Sequence, residues 1–111
     1  MPLERPIIIL GPLRSGTTWM GSAFEKHPRV AYSVEPRHVW MYKNAYKPHF
    51  RLTAEDATDE IRNHIHREFE SFMRAQGADF FCEKTPSNCL RVPFILNVFP
   101  DARIVFLVRD V

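Results

Sequence analysis

Four apolar runs and one long amphipathic stretch organise the chain. Ile7, Ile8, Ile9 and Leu10 are consecutive and mostly β-branched, the pattern of a strand covered on both faces of a parallel sheet, so Pro6 to Gly11 is read as that strand. Val30 to Val34 is a second, weaker strand. It ends at Glu35-Pro36, where the proline removes a donor and biases Glu35 towards an extended backbone. Asp79 to Glu83 (DFFCE) reads as the third strand, and Ala102 to Val108 (ARIVFLV) as a fourth, expected from its composition to be buried on both faces.

Helical spacing fills the intervals. Trp19, Met20, Ala23 and Phe24 predict a helix from Thr17 to His27, stopped by Pro28. Ala57, Ile61, Ile65, Phe69, Phe72, Met73 and Gln76 line one side of a long helix. A capping box of Thr53 and Asp56 is expected to open it, and Gly77 to close it. Pro86 opens a further helix to about Val98 with Thr85 as its N-cap, and Pro93 inside it predicts a kink or a late start. Arg37 to Arg51 has no clear period and reads as loop with a turn of helix at most.

Strands alternating with helices predict an α/β fold with a parallel sheet and flanking helices. In such sheets ligands bind beyond the carboxyl ends of the strands. Those ends carry Gly11 to Thr18, Glu35, Glu83 to Thr85, and Arg109-Asp110, so the polar clusters converge on one edge. The chain stops at Val111, directly after a buried strand, and residues 1–111 are therefore expected to be the N-terminal part of a single larger domain.

Composition narrows the function classes. The 111 residues are 45% hydrophobic and 25% charged, as in an ordinary globular domain. A formal charge of +2 is too small to argue for nucleic acid or a membrane surface, so anion selectivity must be local. Ile7 to Leu10, and the five-residue run Ile104 to Val108, are far short of a bilayer span, and no signal-peptide pattern opens the chain. Cys82 and Cys89 fit no zinc or redox spacing and no secreted disulfide framework. They read as packing residues in a reducing, cytoplasmic setting. His64 and His66 lie two apart and cannot share a helix face, so no metal site is expected.

The candidate chemistry begins at Gly11-Pro12-Leu13-Arg14-Ser15-Gly16-Thr17-Thr18. This stretch keeps the G-x-x-x-x-G frame and final hydroxyl of a P-loop but has Thr17 where the phosphate-binding lysine belongs. Between a strand and a helix, such a loop turns backbone N–H groups and the positive end of the helix dipole towards an anion. Ser15, Thr17 and Thr18 add hydroxyl donors, and Arg14 supplies the missing cation with a planar fork. Without the lysine or an acidic partner for magnesium, a nucleoside triphosphatase is disfavoured.

These residues resemble the sulfotransferases that use 3′-phosphoadenosine 5′-phosphosulfate (PAPS). Pro12 to Thr18 looks like their 5′-phosphosulfate loop. The likeness continues through His27-Pro28, Glu35-Pro36, Glu83-Lys84-Thr85-Pro86, Phe99-Pro100-Asp101-Ala102-Arg103 and Leu107-Val108-Arg109-Asp110, nearest the bacterial and tyrosylprotein branch. The resemblance implies a three-layer sandwich similar to the P-loop NTPases, here cut short at its C-terminus. It implies PAPS as co-substrate with no metal, and a small-molecule, carbohydrate or peptide acceptor, with no nucleic acid partner and no membrane span.

The resemblance also implies residue roles. Glu35 would be the general base, with Arg14 and Lys84 stabilising the transferred group. Arg14, Ser15, Gly16, Thr17, Thr18 and Trp19 would bind the donor, and Arg109 its 3′-phosphate. The serine that completes the 3′-phosphate site in the family would fall beyond Val111, which itself stands where the family often has proline. Plainer readings stand beside these. Glu35 could be a strand-end acid paired with Arg37, with His38 as rival base; Lys84 could be a solvated partner of Glu83; Trp19 could pack in the core. Trp40, Tyr42, Tyr46 and Phe50 could form an acceptor wall or simply pack on the long helix. At the level of function, a divergent P-loop kinase or nucleotide-binding protein and a non-catalytic fragment remain the alternatives.

Overall fold

A computed structural model describes residues 3–11, 26–48 and 51–106. The apolar runs form one four-stranded sheet, β1 (Ile7–Leu10), β2 (Val30–Val34), β3 (Phe80–Lys84) and β4 (Arg103–Phe106), in the order β2-β3-β1-β4. Every pairing is parallel, which requires a crossover between successive strands. The described crossovers contain α1 (Arg37–Trp40), α2 (Asp59–Ala75) and α3 (Val92–Val98). The molecule is thus an α/β protein with a parallel sheet and flanking helices. The helix expected over Thr17 to His27 lies almost wholly outside the described residues.

The long helix α2 follows from its sequence, although it starts later than its first signal. The Thr53 amide donates to Asp56 Oδ2 at 2.8 Å, but this pair closes only a 3-10 turn, Ala54–Asp56. The true N-cap is Thr58, whose Oγ1 accepts from the Ile61 amide at 3.3 Å, with Asp59 and Glu60 in the first turn facing the positive end of the dipole. Thr58 is the start signal in phase with the buried stripe Ile61, Ile65, Phe69 and Met73, and that phase decides between the two. Ala57 is buried but precedes the helix, and Gln76 is its C-cap rather than part of its inner face. Gly77, at φ 62°, takes the left-handed conformation that ends the helix.

The segment after β3 also departs from expectation. Instead of one helix from Pro86, a 3-10 turn (Pro86–Leu90) is followed by a break at Arg91 (φ −145°, ψ 32°) and then α3. Pro93 falls in the first turn of α3, where its missing N–H leaves no bond unmade. Thr85 does not cap with its side chain. Its hydroxyl donates to Glu83 Oε2 at 2.6 Å instead.

The core lies between the sheet and α2. The Phe69 ring stacks on Phe81 of β3 at 4.5 Å and meets Trp40 of α1 edge-on at 5.1 Å, while Phe99 closes on Trp40 at 6.1 Å. β4 does not share this burial, contrary to its composition. Among the described residues it pairs with β1 alone, its side chains are half-buried or exposed, and Phe106 is 58% exposed. Among the described residues β4 stands at the edge of the sheet, and that position, not its run of apolar residues, goes with its exposure.

Candidate functional site

The sheet register brings the strand ends level. Lys84 lies opposite Ile9 of β1 and Val34 of β2, so the glycine stretch leaves β1 just beyond Lys84 on one side, and Glu35 leaves β2 just beyond it on the other. Gly11 has φ 153°, a conformation open to glycine. The Glu35 amide donates to the Lys84 carbonyl at 2.7 Å. Two of the predicted site residues therefore share a backbone hydrogen bond. Arg14, Ser15, Gly16, Thr17, Thr18, Trp19 and Arg109 lie outside the described residues.

Glu35 is not extended. Its φ is 51°, in the left-handed region that L side chains enter at a cost of about 1 kcal/mol or more. The reason is the next residue. Pro36, at φ −76° and ψ 61°, is the centre of an inverse γ-turn, closed by the Arg37 amide donating to the Glu35 carbonyl at 2.7 Å. The chain thereby reverses from β2 into α1 within two residues, and Glu35 absorbs the rotation. Its carboxylate Oε2 sits 3.2 Å from Arg37 Nη2, with both side chains partly exposed, so the plainer pairing is present. A pair in that setting contributes little stability and opens readily. His38 is exposed on α1.

Lys84 is half-buried at the end of β3, and Glu83 before it turns to the opposite face. There Glu83 is fully buried. Its Oε2 accepts from Trp40 Nε1 at 3.1 Å and Thr85 Oγ1 at 2.6 Å, and its Oε1 accepts from Asn88 Nδ2 at 2.6 Å. Arg91 Nε donates to Asn88 Oδ1 at 2.7 Å, and Arg91 Nη1 lies 3.0 Å from Met41 Sδ. The sequence reading left Glu83 as a neighbour of Lys84 and passed over Asn88 and Arg91. The signal was there: counting by two from buried Phe81 puts Glu83 on the core face, where a carboxylate requires partners.

Burial pushes the Glu83 carboxyl up to about 7, against the lowering effects of Thr85, Trp40, Arg91 and Asn88, and pulls the Arg91 guanidinium down to about 10. A carboxyl raised in the folded state from 4.5 adds stability while it is protonated, and this contribution is lost as pH rises through the folded value. Between pH 4.5 and 7 the contribution attributable to Glu83 should therefore fall. Urea midpoints at pH 5 and pH 7 check this: the parent protein should be weaker at pH 7 on this account, and Glu83→Gln should flatten the difference. An unchanged slope in that variant refutes the assignment.

Several other residues prove to be packing groups. Burial lifts the Cys82 thiol to about 12, which leaves it protonated and unsuited to nucleophilic work, while Cys89 is exposed. Trp40 is buried and Tyr42 stacks on His64 at 3.6 Å, so two of the four aromatic residues considered for an acceptor wall pack against α2 or the core. Tyr46 is 78% exposed, and Phe50 lies outside the described residues. Among the described residues no group of three or more His, Cys, Asp or Glu could hold a metal ion, and no helix is long and apolar enough to cross a membrane.

Comparison with known proteins adds an independent line. A family model described as "Sulfotransferase family" matches residues 6–111. Protein-tyrosine sulfotransferase 1 of Homo sapiens is 27% identical over 118 residues, covering 96% of this chain and 32% of that protein. Protein-tyrosine sulfotransferase of Drosophila melanogaster is 29% identical over 120 residues, covering 96% of this chain and 24% of that protein. Membrane-associated sulfotransferase kil1 of Dictyostelium discoideum is 23% identical, covering 93% of this chain and 20% of that protein. The chain spans about a third or less of the length of these relatives.

Proposed function

The chain belongs to the sulfotransferase family, and from that premise we propose that it carries the donor side of a PAPS-dependent transferase acting on a hydroxyl or amine. The single observation that supports this most is the 2.7 Å bond from the Glu35 amide to the Lys84 carbonyl, which puts a candidate base and a candidate cation at adjoining strand ends. The donor set suits a phosphosulfate. The sequence supplies Arg14, Lys84 and the Ser15, Thr17 and Thr18 hydroxyls, and a phosphosulfate carries less charge than a triphosphate, so no magnesium is needed to offset it.

PAPS supplies the sulfuryl group and leaves as 3′-phosphoadenosine 5′-phosphate. Glu35 takes the proton from the acceptor as the acceptor's oxygen or nitrogen bonds to sulfur, which requires its carboxylate to leave Arg37. Lys84 and Arg14 stabilise the sulfuryl oxygens and the departing phosphate oxygen. Ser15, Gly16, Thr17, Thr18 and Trp19 hold the donor, and Arg109 its 3′-phosphate. The named relatives are protein-tyrosine sulfotransferases, so a peptide tyrosine is the first acceptor to try, before carbohydrates and small molecules. Free Cys82 and Cys89 support a reducing, cytoplasmic setting.

The reading is tested by titrating the protein with 3′-phosphoadenosine 5′-phosphate. Arg14→Ala should weaken binding about tenfold or more, the worth of a charge-assisted hydrogen bond. Binding of ATP with no preference for a 3′-phosphate would instead favour a divergent P-loop kinase or nucleotide-binding protein.

A further inference from the structure

The Glu83 carboxylate joins two segments that are far apart in sequence but next to each other at the strand ends. Trp40, which donates to Oε2, lies on α1, the helix that begins two residues after Glu35; Thr85, which donates to the same oxygen, directly follows Lys84. Asn88 holds the other oxygen and is itself held by Arg91, whose guanidinium reaches back to Met41 beside Trp40. The contacts form a closed ring under the strand ends. Glu83, Trp40, Thr85, Asn88 and Arg91 are all buried.

We propose that Glu83 is a positioning residue for sulfuryl transfer, tethering the turn that carries Glu35 to the turn that follows Lys84. The inference rests on the transferase reading above and deepens it. A buried carboxylate is a poor way to gain stability, since apolar side chains of similar volume commonly serve as well or better. What this one provides is geometry: its bonds, each with a polar group bound to one place, fix α1 against the β3 end. The backbone bond from Glu35 to Lys84 is the rung this tether protects. Glu83 faces the side of β3 opposite Lys84, so its effect must come through the placement of Glu35 and Lys84, where small displacements are expensive.

Two variants separate the tether from general stability. Trp40→Phe removes the hydrogen bond to the Glu35 side and keeps most of the ring packing. Glu83→Gln keeps an oxygen that can accept from Trp40 and Thr85 and gives up only the bond from Asn88, whose Nδ2 then faces the new amide NH2. Trp40→Phe should lower kcat about 10- to 100-fold with the Kd for 3′-phosphoadenosine 5′-phosphate unchanged, and should speed hydrogen exchange at the Glu35 amide. Glu83→Gln should retain much more of the rate. Unchanged exchange at Glu35, an unchanged kcat, or a parallel loss of kcat and nucleotide affinity in Trp40→Phe would each overturn the proposal. A parent protein that neither transfers a sulfuryl group nor binds 3′-phosphoadenosine 5′-phosphate refutes the transferase reading instead, and exchange at the Glu35 amide then decides the tether by itself.

Discussion

Glu35→Gln is expected to slow sulfuryl transfer by a factor of about 10² to 10⁴, the range that a positioned base contributes, while binding of 3′-phosphoadenosine 5′-phosphate is unchanged. The substitution is close to isosteric. Its amide oxygen can still accept from Arg37, and the backbone at φ 51° is asked to hold a side chain of the same size. The Glu35 amide still donates to the Lys84 carbonyl, so the strand ends keep their register. Only the capacity to take a proton is lost. The measurement is single-turnover transfer to a tyrosine peptide beside a binding titration. A rate equal to that of the parent removes Glu35 from the mechanism and makes His38, three residues on and exposed, the base to examine.

The largest expected effect on stability is at Phe69. Its ring is 2% exposed, stacks on Phe81, meets Trp40 edge-on and lies 6.1 Å from Phe99. Phe69→Ala should therefore destabilise the protein by about 3–5 kcal/mol, combining lost transfer energy with the cavity left among three other aromatic rings. Phe72, one turn on and half-buried, should lose clearly less on the same change. Urea unfolding of the two variants makes the comparison. Equal losses would show that α2 does not bury the face ending at Met73 as described.

These two residues illustrate what could be read in advance. The helix that carries Phe69 was legible because its apolar positions recur every three to four residues over 17 residues, a local property. The parallel sheet was legible because its strands are dense in β-branched and aromatic residues. The start of α2 was not, because Thr53–Asp56 and Thr58 are both sound start signals and only the phase of the buried stripe selects between them. The burial of β4 was not, because it depends on which strands and helices lie beside it. Glu35 could be singled out only through the resemblance at Glu35-Pro36, and its left-handed backbone emerges only once the γ-turn has to deliver α1 against the sheet. Glu83 was overshadowed by Lys84, the residue next to it. Its importance lies in partners from Trp40 to Arg91, and no short window of sequence contains them all.

The hydrogen bond between Glu35 and Lys84 has a consequence for how such an enzyme could be modified. The backbone spacing of Glu35, the proposed base, and Lys84, the proposed cation, is set by one rung of a β-ladder and by covalent geometry on either side of it. The stretch after Met41, by contrast, runs through successive turns to Tyr46 on the surface. The exposed turn around Tyr46 takes no part in that rung, so exchanging it should leave the backbone spacing of Glu35 and Lys84 unchanged. On the proposed function, grafting that exposed turn from a relative is therefore expected to alter the surface beside the strand ends while hydrogen exchange at the Glu35 amide stays as in the parent.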